Sequence, residues 1–194
     1  MSRTHKEGGL LGSPPAPVYL GIDPSLAGFS MTALAAKEPL FESWVYKSPY
    51  RGVERLIDIE EWLSTTCGLL VDDGHRIKDI AIEDGVFHSY SAAALGELAA
   101  VVKRWIRVSR VCPQPYPLKV PPQMPKKYAT DRGNAKKNEV MLAVYKKWGV
   151  EMADDNMADS YVIARIVRGT AGTKYEQAVL DTLKDPKFRD LPRV

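Results

Sequence analysis

Two acidic residues stand at the ends of short apolar segments, a position where a carboxylate needs a compensating partner. Asp23 ends the apolar run that begins at Val18, and Glu83 ends the run that begins at Ile80. Burial of an isolated carboxylate is strongly unfavourable unless another group balances its charge. If the two runs are neighbouring strands of one sheet, the carboxylates face each other and repel unless cations lie between them. The pattern therefore favours a functional pair over two incidental surface acids.

A second pair of acids, Asp155 and Asp159, is separated by four residues in a segment with helical periodicity. Residues four apart lie on one face of a helix, so both carboxylates can point toward the same site. With Asp23 and Glu83 they supply four oxygen ligands and no Cys or His cluster, a set that favours Mg²⁺ or Mn²⁺ over zinc. Two such ions about 3.5–4 Å apart can activate water and stabilise the leaving oxygen in phosphodiester cleavage. For Asp155 alone, a helix cap is the competing interpretation.

Positive charge is concentrated in the second half of the chain. Residues 1–100 contain 8 Lys and Arg against 14 Asp and Glu, whereas residues 101–194 contain 19 against 10. Within residues 126–147 the basic side chains include Lys126, Lys127, Arg132, Lys136 and Lys137. Such a segment can hold the phosphates of a nucleic acid, although charge alone equally allows a solvated basic face.

The apolar periodicity predicts an α/β protein. Three short strands in an antiparallel meander are followed by helices alternating with two further strands, which indicates a mixed five-stranded sheet with helices on both faces, in the order β-β-β-α-β-α-β-α. The predicted division is a flexible N-terminal arm over residues 1–16, one domain over 17–170, and a C-terminal helix and tail over 171–194.

Several classes of protein are excluded or disfavoured. No apolar run approaches the roughly 20 residues of a membrane span, and the first residues have no apolar core typical of a signal peptide. The chain has two cysteines and no CxxC pair, so neither a disulfide framework nor a zinc site is indicated. We therefore expect a cytoplasmic protein.

Five segments resemble, in the same order, the RuvC-type Holliday junction resolvases. The first is Gly21-Ile22-Asp23-Pro24-Ser25 with the turn after it, and the second is Ala81-Ile82-Glu83-Asp84. The others are Leu95-Gly96-Glu97-Leu98, the basic stretch from Val120 to Val140, and Asn156-Met157-Ala158-Asp159 with the helix after it. Each motif alone is weak, but five in family order over residues 18–168 are fairly specific.

The resemblance implies an RNase H-like fold, a homodimer, and symmetric nicking of four-way DNA junctions with Mg²⁺ or Mn²⁺, two ions per active site. It also implies that Asp23, Glu83 and Asp159 are metal ligands. The fourth ligand is open, because the position where the family has an Asp or His is Asn156 here. Asp155, one residue earlier, is the preferred substitute because it still shares a helix face with Asp159.

The same resemblance assigns roles on the DNA side. Lys137 matches a catalytic lysine beside the scissile phosphate and Lys126 matches a second lysine, with Lys136 and Lys127 as substitutes. Phe87 and Tyr90 follow Glu83 in a predicted loop, where an aromatic ring could stack on an unpaired base. The remaining departures, including residues 1–16 and 173–194, are more similar to the phage-encoded branch of the family.

Alternative functions remain open from the sequence. A flap or replication-fork nuclease of the same fold would use the same residues. A non-catalytic junction-binding protein is also compatible, because Asn156 could mark a degenerate metal site. An actin-like ATP-binding domain also begins with a strand, a Gly-Ile-Asp motif and a turn. Such a domain needs a second lobe, however, which 194 residues hardly supply.

Overall fold

A computed structural model describes residues 3–37, 40–84, 92–189 and 191, which contain six strands and six α-helices. The strands are β1 (Arg3–Gly8), β2 (Pro17–Asp23), β3 (Phe29–Ala35), β4 (Phe41–Lys47), β5 (Arg76–Glu83) and β6 (Leu118–Val120). The helices are α1 (Gly52–Asp72), α2 (Ala92–Ser109), α3 (Gln123–Thr130), α4 (Lys137–Trp148), α5 (Asp155–Arg168) and α6 (Lys174–Leu183), followed by a single 3₁₀ turn (Pro186–Phe188).

The strands form one mixed sheet in the order β1-β4-β3-β2-β5-β6. The pairs β1–β4, β4–β3 and β3–β2 are antiparallel, and short connections join β2, β3 and β4. The strand β5 is parallel to both β2 and β6. The helix α2 makes the crossover that a parallel pair requires between β5 and β6. One buried cluster joins the sheet to α1 and α2, and a second joins it to α3, α4, α5 and α6. The predicted α/β class with helices on both faces is confirmed.

The sheet has six strands rather than the predicted five, because the segment expected to be a flexible arm contributes β1. This strand pairs with β4, with Thr4 opposite Tyr46. The segment after it is also held, since Leu10 is fully buried and donates its N–H to the Glu42 carboxylate at 2.9 Å. The prediction was wrong because the residues of β1 are mostly polar or charged, and a strand at a sheet edge needs no apolar alternation.

The proline-rich stretch before α4 forms the short helix α3, and α4 begins only at Lys137. Pro125 lies in the first turn of α3, where the missing N–H costs no hydrogen bond, so prolines did not exclude a helix here. This additional helix is what carries Lys126 toward the sheet.

The helix α5 lies directly across β2 and β3. At Gly21 the approach is so close that an added Cβ would lie 2.2 Å from the backbone oxygen of Ser160 and 2.3 Å from the backbone nitrogen of Ala164. The buried hydroxyls of Thr32 and Ser160 are 2.8 Å apart and join β3 to the same helix. These contacts fix the start of α5 beside the end of β2. No helix in the described ranges has the length and apolarity that crossing a membrane requires.

Candidate active site

The register of the parallel strands brings the first two predicted acids to one sheet edge. Ile22 of β2 lies opposite Ile82 of β5, and the next residues along the two strands are Asp23 and Glu83. Both strands end here, so their carboxylates emerge where the helices of the second layer begin. The two strands are neighbours, which is the condition under which the sequence pairs Asp23 with Glu83.

The start of α5 brings the third acid to the same edge. Asp154 caps the helix, because its Oδ1 accepts the N–H of Asn156 at 2.8 Å. The hydroxyl of Ser30, which is opposite Asp23 in the sheet, donates to the carbonyl oxygen of Asn156 at 2.7 Å. The cap and this tether hold the first turn of α5 over the end of β2, and Asp159 follows one turn later. The role of Ser30 carried no sequence signal, since it depends on a contact across 126 residues.

These side chains line one open cavity of about 230 Å³. Its walls are formed by Asp23, Pro24, Ser25, Glu83, Leu95, Pro122, Lys126, Lys137, Asn156 and Asp159. Three carboxylates from β2, β5 and α5 thus share the cavity with two lysines from α3 and α4. Asp155 does not line it: its carboxylate forms an ion pair with Lys137.

Burial and mutual repulsion raise the pKa values of all three carboxyls. The pKa of Asp23 is well above its ordinary value, mainly because of burial and then because of Glu83 and Asp159. Burial and then Asp159 raise the pKa of Glu83 to about 7, and burial followed by Asp155 raises that of Asp159 to about 6. Lys137 opposes each of these increases. Burial and neighbouring acids thus disfavour the ionised form of each carboxyl, and a bound cation would favour it.

The donor set fits a hard divalent cation, because carboxylate and amide oxygens are the ligands that Mg²⁺ and Mn²⁺ prefer. Within residues 3–37, 40–84 and 92–189, no three His, Cys, Asp or Glu side chains lie close enough together to hold one ion between them. Asp23, Glu83 and Asp159 nevertheless line one cavity, so each of them can supply oxygen ligands from its wall.

The remaining predicted residues either do not line the cavity or lie outside the described residues. Lys127 is half-buried on α3, while Arg132 and Lys136 are exposed between α3 and α4, where Glu139 pairs with Arg132 and accepts the Lys136 N–H. Phe87 and Tyr90, like residues 85–91 as a whole, lie outside the described residues.

Asp84, the acid directly after Glu83, does not line the cavity but contacts α2 and β6. Its carboxylate lies 2.6 Å from the Nζ of Lys103 on α2, and its N–H donates to the carbonyl oxygen of Val120 on β6. The sequence shows two adjacent acids at this strand end, and only the structure separates the one that lines the cavity from the one that ties α2 to the sheet.

Without divalent cations, raising the pH from about 4 to about 7 is expected to destabilise the protein through this cavity. A carboxyl whose pKa is higher in the folded state keeps its proton after the unfolded chain has lost its own, so rising pH favours unfolding. The window runs from the ordinary carboxyl pKa of about 4 to about 7 for Glu83. Thermal unfolding in EDTA measures the effect, and Glu83→Gln should lose less stability than the wild type over this range. Equal losses of stability in both proteins would contradict the raised pKa of Glu83.

Comparisons with known proteins show the fold. No protein-family profile and no curated protein sequence matches the chain. Among solved structures it is similar to RuvC of Thermus thermophilus in complex with a Holliday junction substrate, with a TM-score of 0.58 and 24% identity over 76% of this chain and 90% of that one. It is also similar to a second Thermus thermophilus RuvC structure, with a TM-score of 0.59 and 20% identity over 89% and 98% of the two chains. The protein therefore has the RNase H-like fold that the sequence resemblance implied.

Proposed function

We propose that this protein is a Holliday junction resolvase, a divalent-cation-dependent endonuclease that nicks four-way and other branched DNA. The observation that carries the proposal is the single cavity in which Asp23, Glu83 and Asp159 face Lys126 and Lys137. The fold supports the substrate class, because a solved neighbour is a RuvC in complex with a Holliday junction substrate.

Asp23, Glu83 and Asp159 are the residues that hold the cations. Two Mg²⁺ or Mn²⁺ ions, when bound, supply an activated water and stabilise the charge that develops on the phosphate. The position of the three carboxylates at the end of two strands and on a helix makes the site rigid, and a rigid constellation aligns the phosphate with little loss of entropy in the reaction. Leu95 and Pro122 supply the apolar part of the cavity wall.

The two lysines of the cavity orient the phosphate. Lys137 begins α4 and its side chain is 60% exposed, so a DNA phosphate can approach it and compete with Asp155 for its ammonium group. Lys126 lines the same cavity from α3, and its ammonium group lowers the pKa of both Glu83 and Asp159. Opposite charges of a phosphate and two lysines favour binding of the backbone at the cavity mouth.

The flanking basic residues extend the DNA surface. Lys127, Arg132 and Lys136 contact phosphates on either side of the scissile bond, where they position the duplex without reading its sequence. Phe87 and Tyr90 stack on unpaired bases at the branch point. A homodimer presents two such sites to two strands of one junction and so makes symmetric nicks.

Two other functions are alternatives to the proposed resolvase. A flap or fork nuclease would use the same cavity and differ only in the DNA branch that it accepts. A junction-binding protein without catalysis is favoured by one observation, the presence of neutral Asn156 rather than an acid at the wall of the cavity.

The decisive experiment compares cleavage of an end-labelled four-way junction, a Y-fork, a flap and a linear duplex. In Mg²⁺ or Mn²⁺ we expect paired nicks on the junction, weaker cutting of the other branched DNAs and none of the linear duplex, and we expect no product in EDTA. Preferred cutting of the fork or flap would replace the junction as the substrate. Binding of the junction without product in any cation would establish the non-catalytic binder instead.

A further inference from the structure

Asn156, the residue that departs from the family pattern, has a fixed amide orientation. Its Nδ2 donates to the Oδ1 of Asp154 at 2.8 Å, and its backbone N–H donates to the same oxygen at 2.8 Å. A carboxylate only accepts hydrogen bonds, so the nitrogen side of the amide must face Asp154. The amide oxygen is consequently directed away from Asp154, on a side chain that lines the cavity.

Gly28 provides the space that this amide occupies. A Cβ at Gly28 would lie 3.2 Å from the Nδ2 of Asn156, closer than ordinary side-chain contacts. The backbone of Asn156 is held as well, because its carbonyl oxygen accepts the Ser30 hydroxyl. The side chain is therefore positioned before any ligand arrives, which lowers the conformational entropy that ligand binding must overcome.

Asp155 has a different arrangement. Its carboxylate pairs with the Nζ of Lys137, one of the two lysines at the cavity, and its hydrogen bond to Lys137 is the largest cause of the raised pKa of that lysine. A carboxylate that coordinates a cation would have to leave Lys137 without this partner. Helix spacing cannot separate the two candidates, since both the third and the fourth residue before Asp159 share its face.

We propose that the Oδ1 of Asn156 is the fourth oxygen ligand of the cation site, and that Asp155 is a positioning residue for Lys137 rather than a ligand. This inference rests on the proposed function for the existence of the site. The site then has three carboxylates and one neutral amide oxygen. Ligand charge tunes the affinity of oxygen sites for divalent cations, so this chain binds its cation less tightly than a four-carboxylate site would.

The test is a calorimetric titration of the full-length, DNA-free protein with Mn²⁺, together with thermal unfolding in EDTA and in Mn²⁺. Asn156→Ala should weaken Mn²⁺ binding by about tenfold or more, a size typical of disturbed metal sites. It keeps the backbone N–H that Asp154 caps, so its unfolding temperature in EDTA should stay close to that of the wild type. The matched control Asp155→Asn, next to it in the same helix turn, should change the affinity by less than about twofold, well under that tenfold effect.

Asn156→Asp gives a signature that a purely structural role would not produce. The variant loses the donation to Asp154 and adds a fourth carboxylate, so its unfolding temperature in EDTA should fall. In Mn²⁺ the same variant should bind more tightly and show a larger upward shift of the unfolding temperature than the wild type.

The outcomes separate this inference from the proposed function. Weakened Mn²⁺ binding in Asp155→Asn with unchanged binding in Asn156→Ala would assign the ligand to Asp155 and overturn the inference, while the nuclease proposal would stand. Similar losses in both variants would also overturn it, because Asp155 would then contribute as a ligand. A wild-type protein that binds no Mn²⁺ would overturn the cation site itself and, with it, the proposed function.

Discussion

Replacement of Asp23 by Asn is expected to abolish cleavage of a four-way junction while leaving junction binding intact. Asp23 lines the cavity together with Glu83 and Asp159, and after burial these two acids are the largest causes of its raised pKa. Asn keeps the shape of the side chain but removes the negative charge that holds a cation. Since cations contribute several kcal/mol to phosphoryl chemistry and each 1.36 kcal/mol is tenfold in rate, the loss should be at least about a thousandfold.

DNA binding by the Asp23→Asn protein should be retained or strengthened, in contrast to cleavage. Removal of one carboxylate reduces the repulsion between the cavity and a phosphate, so in EDTA the Asp23→Asn protein should bind the junction as tightly as the wild type or more tightly. A gel-shift titration in EDTA and a denaturing-gel cleavage assay in Mg²⁺ measure the two effects on the same labelled junction.

Asp84→Asn is the matched control for this loss. Asp84 is also an acid beside the end of a strand, but it pairs with Lys103 and does not line the cavity. We expect this variant to retain most of the cleavage rate. Cutting by Asp23→Asn at the wild-type rate, or an equal loss in both variants, would show that the cavity carboxylates do not hold catalytic cations.

The central part of this site was accessible from sequence because its signals are local. An apolar run that ends in an acid marks both the strand and the edge where its carboxylate emerges, as for Asp23 and Glu83. The acid one turn into α5 follows from helical periodicity in the same way. Parallel pairing of β2 with β5 then follows from the intervening elements, since a parallel connection needs a crossover and the meander already occupies the other side of β2.

The parts that sequence missed depend on contacts between distant segments. The polar strand β1 is stabilised by β4 and by the Glu42 carboxylate, which no local pattern reveals. The ion pair of Asp155 with Lys137 joins two different helices and is likewise invisible in any local pattern. The helix α3 begins among prolines, which disfavour the interior of a helix but are tolerated in its first turn.

Replacement of Gly21 by Ala is expected to have the largest effect on stability. The added methyl group would lie 2.2 Å and 2.3 Å from backbone atoms of α5, which cannot rotate aside as a flexible side chain would. Either α5 moves away from β2 or the strand distorts, and both break the contact between two elements of the core. We expect a decrease in the free energy of unfolding of about 3 kcal/mol, the upper end of typical overpacking, measured by urea unfolding in EDTA.

Gly96→Ala is the control that separates crowding from the loss of a flexible residue. Gly96 lies within α2 and an added Cβ there would contact nothing within 4 Å, so Ala should stabilise the protein by about 0.5–1 kcal/mol through helix propensity. If Gly21→Ala were equally harmless, α5 could not lie on β2 as closely as described.

The contact between Gly21 and α5 also sets the separation of Asp23 from Asp159, because Asp23 follows Gly21 by two positions and Asp159 directly precedes Ser160. Any Gly21→Ala protein that still folds should therefore bind Mn²⁺ more weakly than the wild type, although no ligand has been changed.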